Sequence, residues 1–251
     1  MHFATPISSM SAAAACCCLL LLLATTTASS IDAQQSDGGC FTNERDALLS
    51  FKDGIVEDLH GLLSSWNGQD CCLWSGVKCS NITGHIIRLN LHNNFFLDDL
   101  VSWNPRKRHG IHGKISSSLL ALHHLEYLDL SGNHLGGVGV PIPRFMGSLE
   151  SLVYLNLSCM NFGGKVPPQL GNVSRLLYLD LYNQWNPDGE FIVGDISWLA
   201  RLPLLKFLDM SGANLGSIGN WVHVLNMLSN LRALRLRDCR LVFPQNICNE
   251  F

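Results

Sequence analysis

The sequence predicts an α/β solenoid, a chain wound into stacked coils that each give one short strand to a shared parallel sheet. Three observations carry that expectation. A segment with leucines at alternating places recurs six times, proline- and glycine-bearing segments sit between the recurrences, and four cysteines gather just ahead of the first. With 47% hydrophobic and 15% charged residues over 251 positions, the chain is too apolar to stay disordered and long enough for one or two ordinary domains.

The first element is not part of the fold. "AAAACCCLLLLLA", residues 12–24, is a short apolar run followed by "TTTASSIDA", whose small residues offer cleavage after Ala28, Ser30 or Ala33. This pattern reads as a secretory signal peptide, although His2 stands where a Lys or Arg is customary. The run is shorter than the roughly 20 residues a spanning helix needs. The expected organisation is a signal peptide over residues 1–33, a cap over 34–84, and about six repeats over 85–251, cut short at the C-terminus. Removing residues 1–33 removes Asp32 and no Lys or Arg, leaving 17 basic against 19 acidic side chains. So even a balance disfavours nucleic acid, which wants a basic face.

Seven of the ten cysteines remain in the mature chain: Cys40, Cys71, Cys72, Cys79, Cys159, Cys239 and Cys248. In an oxidising compartment the first four read as two disulfides. Adjacent Cys71 and Cys72 do not suit each other geometrically. Cys40 with Cys71 and Cys72 with Cys79, or the crossed arrangement, both remain open on spacing. Paired C-x-x-C spacing and histidines in register are missing, so no metal and no cofactor are expected.

Ahead of the repeats, the cap is expected to open on a short helix. Asn43 serves there as N-cap with Asp46 at its third position, and Leu48, Phe51 and Ile55 fall on one face. Trp66 and Trp74 add bulk. So small a cap buries too little to hold alone, and bridges worth about 2 to 4 kcal/mol each make up the difference.

The repeats follow. They read "IIRLNLHNNFF" from Ile86, "LEYLDLSGNHL" from Leu125, "LVYLNLSCMNF" from Leu152, "LLYLDLYNQWN" from Leu176, "LKFLDMSGANL" from Leu205 and "LRALRLRDCRL" from Leu231. Their starts lie 39, 27, 24, 29 and 26 residues apart. These steps bracket the leucine-rich repeat period of about 20 to 29, with one insertion. Alternate residues of a strand face opposite sides, so Leu128 and Leu130, or Leu155 and Leu157, point inward. Asn94 and Asn133 can satisfy backbone groups at the turn with their amides. Met160, Gln184 and Ala213 at the same place imply looser turns, whereas Cys239 is an accepted alternative. Between strands, "VPIPRFMGSL" and "GKVPPQLGNV" share I/V-P-x-x-L/M-G-x-L/V, with proline fixing φ and glycine read as a permissive turn.

The segment "CFTNERDALLSFKDGI…LLSSWNGQDCCLWSGVKCSNITGHIIRLNL", with its D-C-C-x-W-x-G-V-x-C core and the following G-x-I-P-like connectors, resembles plant leucine-rich repeat receptor-like proteins. "LVYLNLSCMNFGGKVPPQLGNVSRLLYLDL" and "ISWLARLPLLKFLDMSGANL" are similar to the subgroup that includes receptors for fungal xylanase and other elicitors. The resemblance implies a plant-type leucine-rich repeat horseshoe with a disulfide-stapled N-terminal cap. It also implies pairing of Cys40 with Cys71 and of Cys72 with Cys79. Further, it implies a non-catalytic ectodomain that perceives microbial elicitors in defence signalling, in the apoplast or on the outer face of the plasma membrane. Full-length relatives are membrane-anchored, although no membrane helix is expected in this chain. Expected partners are an extracellular protein, peptide or glycan ligand and a co-receptor kinase. The similarity extends to secreted inhibitors of cell-wall-degrading enzymes such as polygalacturonases, and a nonfunctional truncated allele is a third reading.

Function must live on outward positions. These are Arg88, Asn90, His92; Tyr127, Asp129, Ser131; Tyr154, Asn156, Ser158; Tyr178, Asp180, Tyr182; Phe207, Asp209, Ser211; and Ala233, Arg235, Arg237. The expected ligand-contacting set is Arg88, Asn90, His92, Tyr127, Asp129, Tyr154, Tyr178, Asp180, Tyr182, Phe207, Asp209, Arg235 and Arg237. Tyr127, Tyr154, Tyr178 and Phe207 form an aromatic column that serves either as an anchor for a ligand or as framework with the rings stacked on one another. Two irregular stretches are read as solvated loops at a binding edge: residues 97–114 with Arg106, Lys107, Arg108, His109, His112 and Lys114, and residues 182–195 with Trp185.

Asn81, Asn156 and Asn172 stand in N-x-S/T acceptor sequons. No G-x-S-x-G, Gly-rich phosphate loop or H-E-x-x-H occurs, so catalysis is not expected. His123 and His124 lie on the convex turn, where surface or packing roles are expected. Cys239 and Cys248 either bridge or leave Cys239 buried and Cys248 free.

Overall fold

The computed structural model describes residues 39–93, 110–136, 139–160, 162–183 and 191–242. The signal-like segment, Asn94, Arg106, Lys107, Arg108, His109, Gln184, Trp185 and Cys248 lie outside these ranges. All described residues belong to one compact unit, Gln34–Phe251.

In chain order the elements are α1 (Thr42–Asp53), β1 (Ile55–Glu57), β2 (Val77–Cys79), β3 (Ile86–Asn90), β4 (His112–Gly113), β5 (Tyr127–Asp129), β6 (His134–Leu135), β7 (Tyr154–Asn156), β8 (Gly164–Lys165), β9 (Tyr178–Asp180), β10 (Phe191–Ile192), β11 (Phe207–Asp209), α2 (Trp221–Asn226) and β12 (Ala233–Arg235). The main sheet runs β12-β11-β9-β7-β5-β3-β2. All of its pairings are parallel except β2 with β3. Every coil therefore contributes one strand at one register, as the recurring leucines predict.

Leu89, Leu128, Leu155, Leu179 and Leu208 line up across that register and are all fully buried. Each such side chain removed from water is worth roughly 1.5 to 3 kcal/mol. The sixth member, Leu234, is 40% exposed, because β12 is the edge strand among the described residues.

Opposite the main sheet, single 3-10 turns at Ser117–Ala121, Arg144–Ser148, Pro168–Asn172 and Ser197–Arg201 complete the coils, and α2 closes the last one. Here the connector glycine does something other than permit a turn. Gly171 has an ordinary φ, but a Cβ on it would stand 2.6 Å from the Trp198 carbonyl oxygen of the next coil. Gly147 is in the same position against Gln169. The glycines let neighbouring turns touch backbone to backbone.

Short second strands add two small sheets that the alternating leucines do not announce. β4 pairs with β1 antiparallel and with β6 parallel, while β8 pairs with β10. Consequently parts of both expected loops are ordered structure: His112 sits in β4 with its ring 4.5 Å from that of His134, and Phe191 is buried in β10.

In the cap, Cys40 is bonded to Cys71 and Cys72 to Cys79, each pair with Cα atoms 5.5 Å apart. Trp66 and Trp74 stack with centroids 5.5 Å apart, and Phe51 packs on Trp66 at 6.2 Å. α1 begins two residues earlier than expected. Its N-cap position is Phe41, which offers no side-chain cap, so Asn43 lies inside the helix and Asp46 pairs with Arg45. Ile55 has left the helix for β1.

One charged residue of the cap is almost fully buried. Glu44 is 1% exposed, and its Oε2 accepts the buried Ile86 N–H at 3.0 Å. Its Oε1 lies 3.0 Å from His85 Nδ1. His85 is sandwiched between Phe41 at 4.1 Å and His124 at 4.0 Å. The helix is thus tied by one carboxylate to the first repeat strand.

Turn asparagines run along the coil edge, but not always at the expected position. Asn133 Nδ2 donates to the Leu91 and Leu130 carbonyls at 2.7 and 2.9 Å, while its Oδ1 accepts Ile111 N–H. Asn93 and Asn183, each one position earlier in its repeat, donate across to Gly132 and Phe162 carbonyls. Cys239 takes the same role through Sγ, 3.2 Å from the Met210 carbonyl oxygen, and is a buried free thiol.

Candidate functional site

The outward residues of the main sheet form three columns across the strands. The pairings place Arg88, Tyr127, Tyr154, Tyr178, Phe207 and Ala233 side by side. Asn90, Asp129, Asn156, Asp180, Asp209 and Arg235 make the second column. Two residues further along each strand, His92, Ser131, Ser158, Tyr182, Ser211 and Arg237 make the third.

The rings of the first column are stacked face to face. Centroid distances are 4.1, 4.2 and 4.2 Å from Tyr127 through Tyr154 and Tyr178 to Phe207, with planes 4 to 10° off parallel. Parallel strands repeat at about 4.8 Å, and that spacing forces identical planar side chains in register onto one another. Arg88 lies over the Tyr127 face at 3.9 Å and Arg235 over Phe207 at 5.1 Å. Guanidinium groups thus cover both ends, leaving ring edges and hydroxyls for contact.

The acidic column is mostly buried beneath those hydroxyls. Asp129, Asp180 and Asp209 each turn Oδ1 back onto the backbone N–H two residues on, in Ser131, Tyr182 and Ser211. The second oxygens face outward: Tyr127 donates to Asp129 Oδ2 at 3.3 Å, Tyr178 to Asp180 Oδ2 at 3.2 Å, and Arg235 approaches Asp209 Oδ2 at 3.7 Å. Burial pushes the Asp180 carboxyl upward, with the Asp209 charge adding to it. Burial likewise pushes the Tyr154 and Tyr178 hydroxyls up to about 12, aided by the neighbouring carboxylates, and raises Tyr127 and Tyr182 as well.

So the expected contacting residues divide into two kinds. Tyr127, Tyr154, Tyr178, Phe207, Asp129, Asp180 and Asp209 hold one another in place. Asn90 is half-buried, and His92, Tyr182, Arg235 and Arg237 are exposed. His92 is held through its Nδ1, 2.7 Å from Ser131 Oγ. The face is a pre-arranged surface of ring edges, hydroxyls and a few free polar groups, suited to non-covalent contact.

Two thiols lie below it. Burial raises Cys159 to about 12 and Cys239 to about 11, which keeps both as unreactive thiols at neutral pH. Of the three sequon asparagines, Asn81 and Asn172 are exposed and Asn156 stands inside the second column, half-buried. Lys114 is exposed beside β4. Spacing alone did not single out Glu44 or the arginine covers of the ring column. The charge at position 44 on the same helix face as Leu48 and Phe51 was the available sign of the first.

No helix among the described residues is long and apolar enough to cross a membrane. A leucine rich repeat N-terminal domain is matched over residues 41–80, and leucine rich repeats over 121–140 and 151–173. Receptor-like protein EIX1 of Solanum lycopersicum is 40% identical over 208 residues, covering 80% of this chain and 19% of that protein. Receptor-like protein EIX2 of the same plant is 45% identical over 131 residues, covering 52% of this chain and 12% of that protein. The chain therefore spans a fifth or less of the length of these relatives. In fold it resembles the ectodomain of the receptor kinase SOBIR1 from Arabidopsis thaliana, with a TM-score of 0.55, 23% identity, and coverage of 80% of this chain and 95% of that one. By its N-terminal domain, its repeats and its identity to these relatives, the chain is similar to the plant leucine-rich repeat receptor-like proteins.

Proposed function

We propose that this chain is a non-catalytic recognition module working outside the cell, and that its concave sheet perceives microbial elicitors through protein-protein binding. The observation that carries the reading is the in-register ring column, covered at both ends by arginine and braced by buried carboxylates. Such a surface loses little side-chain freedom on binding, which favours recognition. The signal goes inward through a partner kinase, a role the receptor-like relatives make natural. Residues 1–33 act as the secretory leader, 34–84 as the cap and 85–251 as the repeat array. Within the expected contacting set, Tyr182 and Arg237 make the ligand contacts of largest reach, because they are exposed and stand apart from the mutually pinned rings.

The test is surface plasmon resonance on the immobilised chain, with a fungal endo-xylanase and a fungal endopolygalacturonase as probes. The reading expects xylanase binding that weakens at least about tenfold in Tyr182→Ala or Arg237→Ala, the size of one interface contact of about 1.4 kcal/mol. Inhibition of polygalacturonase with no xylanase binding would establish the secreted-inhibitor alternative instead.

A further inference from the structure

Three asparagines stand in acceptor sequons, and the fold treats them differently. We propose that Asn81 and Asn172 carry N-linked glycans and that Asn156 does not, so that sugar covers the cap and the convex side while the concave face stays bare. This rests on the proposed passage through the secretory pathway.

Asn156 lies in β7, between β5 and β9 at the middle of the main sheet. Its Oδ1 accepts the Ser158 N–H at 3.0 Å, and that donor fixes which end of the amide is oxygen. Nδ2 is thereby aimed at Asp129 Oδ2, 3.3 Å away, and at the Tyr154 hydroxyl, 3.5 Å away. Glycan transfer forms a bond from Nδ2 to C1 of the sugar. It breaks the bond from C1 to the pyrophosphate of a lipid-linked oligosaccharide donor and releases one Nδ2 proton. The substituted nitrogen would have one N–H left and a pyranose ring where Asp129 and Tyr154 already stand. Transfer acts on the extended chain before folding, so a sugar at Asn156 would have to be accommodated within the β5-β7-β9 register. Chains bearing one would fail to close the ring column and be withheld from secretion.

The other two acceptors meet no such obstacle. Asn172 ends the turn Pro168–Asn172 and is exposed; its Oδ1, rather than its nitrogen, is held by Arg201 Nη1 at 3.1 Å. Asn81 is exposed on the turn where Ser80 Oγ accepts the Ile82 and Thr83 N–H groups. Both residues are exposed and lie outside the strands of the main sheet.

The test expresses the whole chain behind a supplied secretory leader in plant cells and digests the secreted protein with a peptide glycosidase in heavy-oxygen water. Every sugar-bearing asparagine then becomes a mass-labelled aspartate, read by tandem mass spectrometry. Label at Asn81 and Asn172 and none at Asn156 is expected. Thr83→Ala and Ser174→Ala should each speed gel migration by one glycan step, and Ser158→Ala should leave it unchanged. Label at Asn156, or an unlabelled Asn81 or Asn172, overturns the assignment. Because the leader is supplied, this outcome is independent of routing. Cytosolic retention behind the chain's own residues 1–33 would overturn the secretory reading alone.

Discussion

Tyr154 lies flat on Tyr178, with ring centroids 4.2 Å apart and planes 10° off parallel. On its other face Tyr154 meets Tyr127 at 4.1 Å, so one side chain serves two stacks. Aromatic pairs contribute about 0.5 to 1.5 kcal/mol each beyond their buried area. Tyr154→Ala should therefore cost more stability than Phe207→Ala, whose ring has one aromatic neighbour, and a Tyr154→Ala, Tyr178→Ala double-mutant cycle should return a coupling of about 1 kcal/mol. Urea unfolding of the four proteins measures it; additive costs would show that the rings stand side by side without interacting.

Glu44 couples the cap to the repeats through a single buried carboxylate. Glu44→Ala leaves the buried Ile86 N–H without its acceptor, a loss of about 1 to 3 kcal/mol. Glu44→Gln keeps one oxygen acceptor and should cost less. Hydrogen exchange is the sharper readout: in the alanine variant the amides of α1 and β3 should exchange faster, while those of β9 and β11 keep their rates. Uniform acceleration along the chain would mean that the cap and repeats unfold as one unit and that Glu44 is no junction.

The two bridges close loops of unequal length, 31 residues for Cys40–Cys71 and 7 for Cys72–Cys79. On the chain-entropy account the longer loop is worth about 3 to 4 kcal/mol and the shorter about 2. Paired serine replacement at Cys40 and Cys71 should thus lower the melting temperature further than the same change at Cys72 and Cys79. Equal losses, or none on full reduction, would remove the bridges from the account of how the cap holds.

Much of this architecture was legible in the residues because period carries it. Leu128, Leu155, Leu179 and Leu208 sit at one place in successive repeats, and a period-2 strand leaves them no other common destination than the shared interior. Tyr127, Tyr154 and Tyr178 follow from the same rule on the opposite side. What escaped reading depends on contacts between neighbouring coils rather than within one. The need for glycine at position 171 is set by the Trp198 carbonyl 27 positions later. The asparagine ladder tolerates a shift of one position, as Asn93 and Asn183 show, because an amide can reach a neighbouring coil from either site. The strands β4 and β6 of the smaller sheet are only two residues long, too short for alternation to mark.

The outward columns form one continuous, pre-arranged face, and tyrosine ionisation tests that claim most directly, since all four tyrosines of the chain, Tyr127, Tyr154, Tyr178 and Tyr182, lie on it. Their hydroxyls ordinarily ionise near 10, and the face raises all four, Tyr154 and Tyr178 to about 12. A folded value above the unfolded one means that this contribution to stability is fully present below pH 10 and is lost as pH climbs towards 12. Absorbance at the tyrosinate band at pH 10 should be well below half-developed in the native protein and stand half-developed in the same protein in urea. Half-ionisation of the native chain at pH 10 would mean that the rings are solvated singly and that no such face exists.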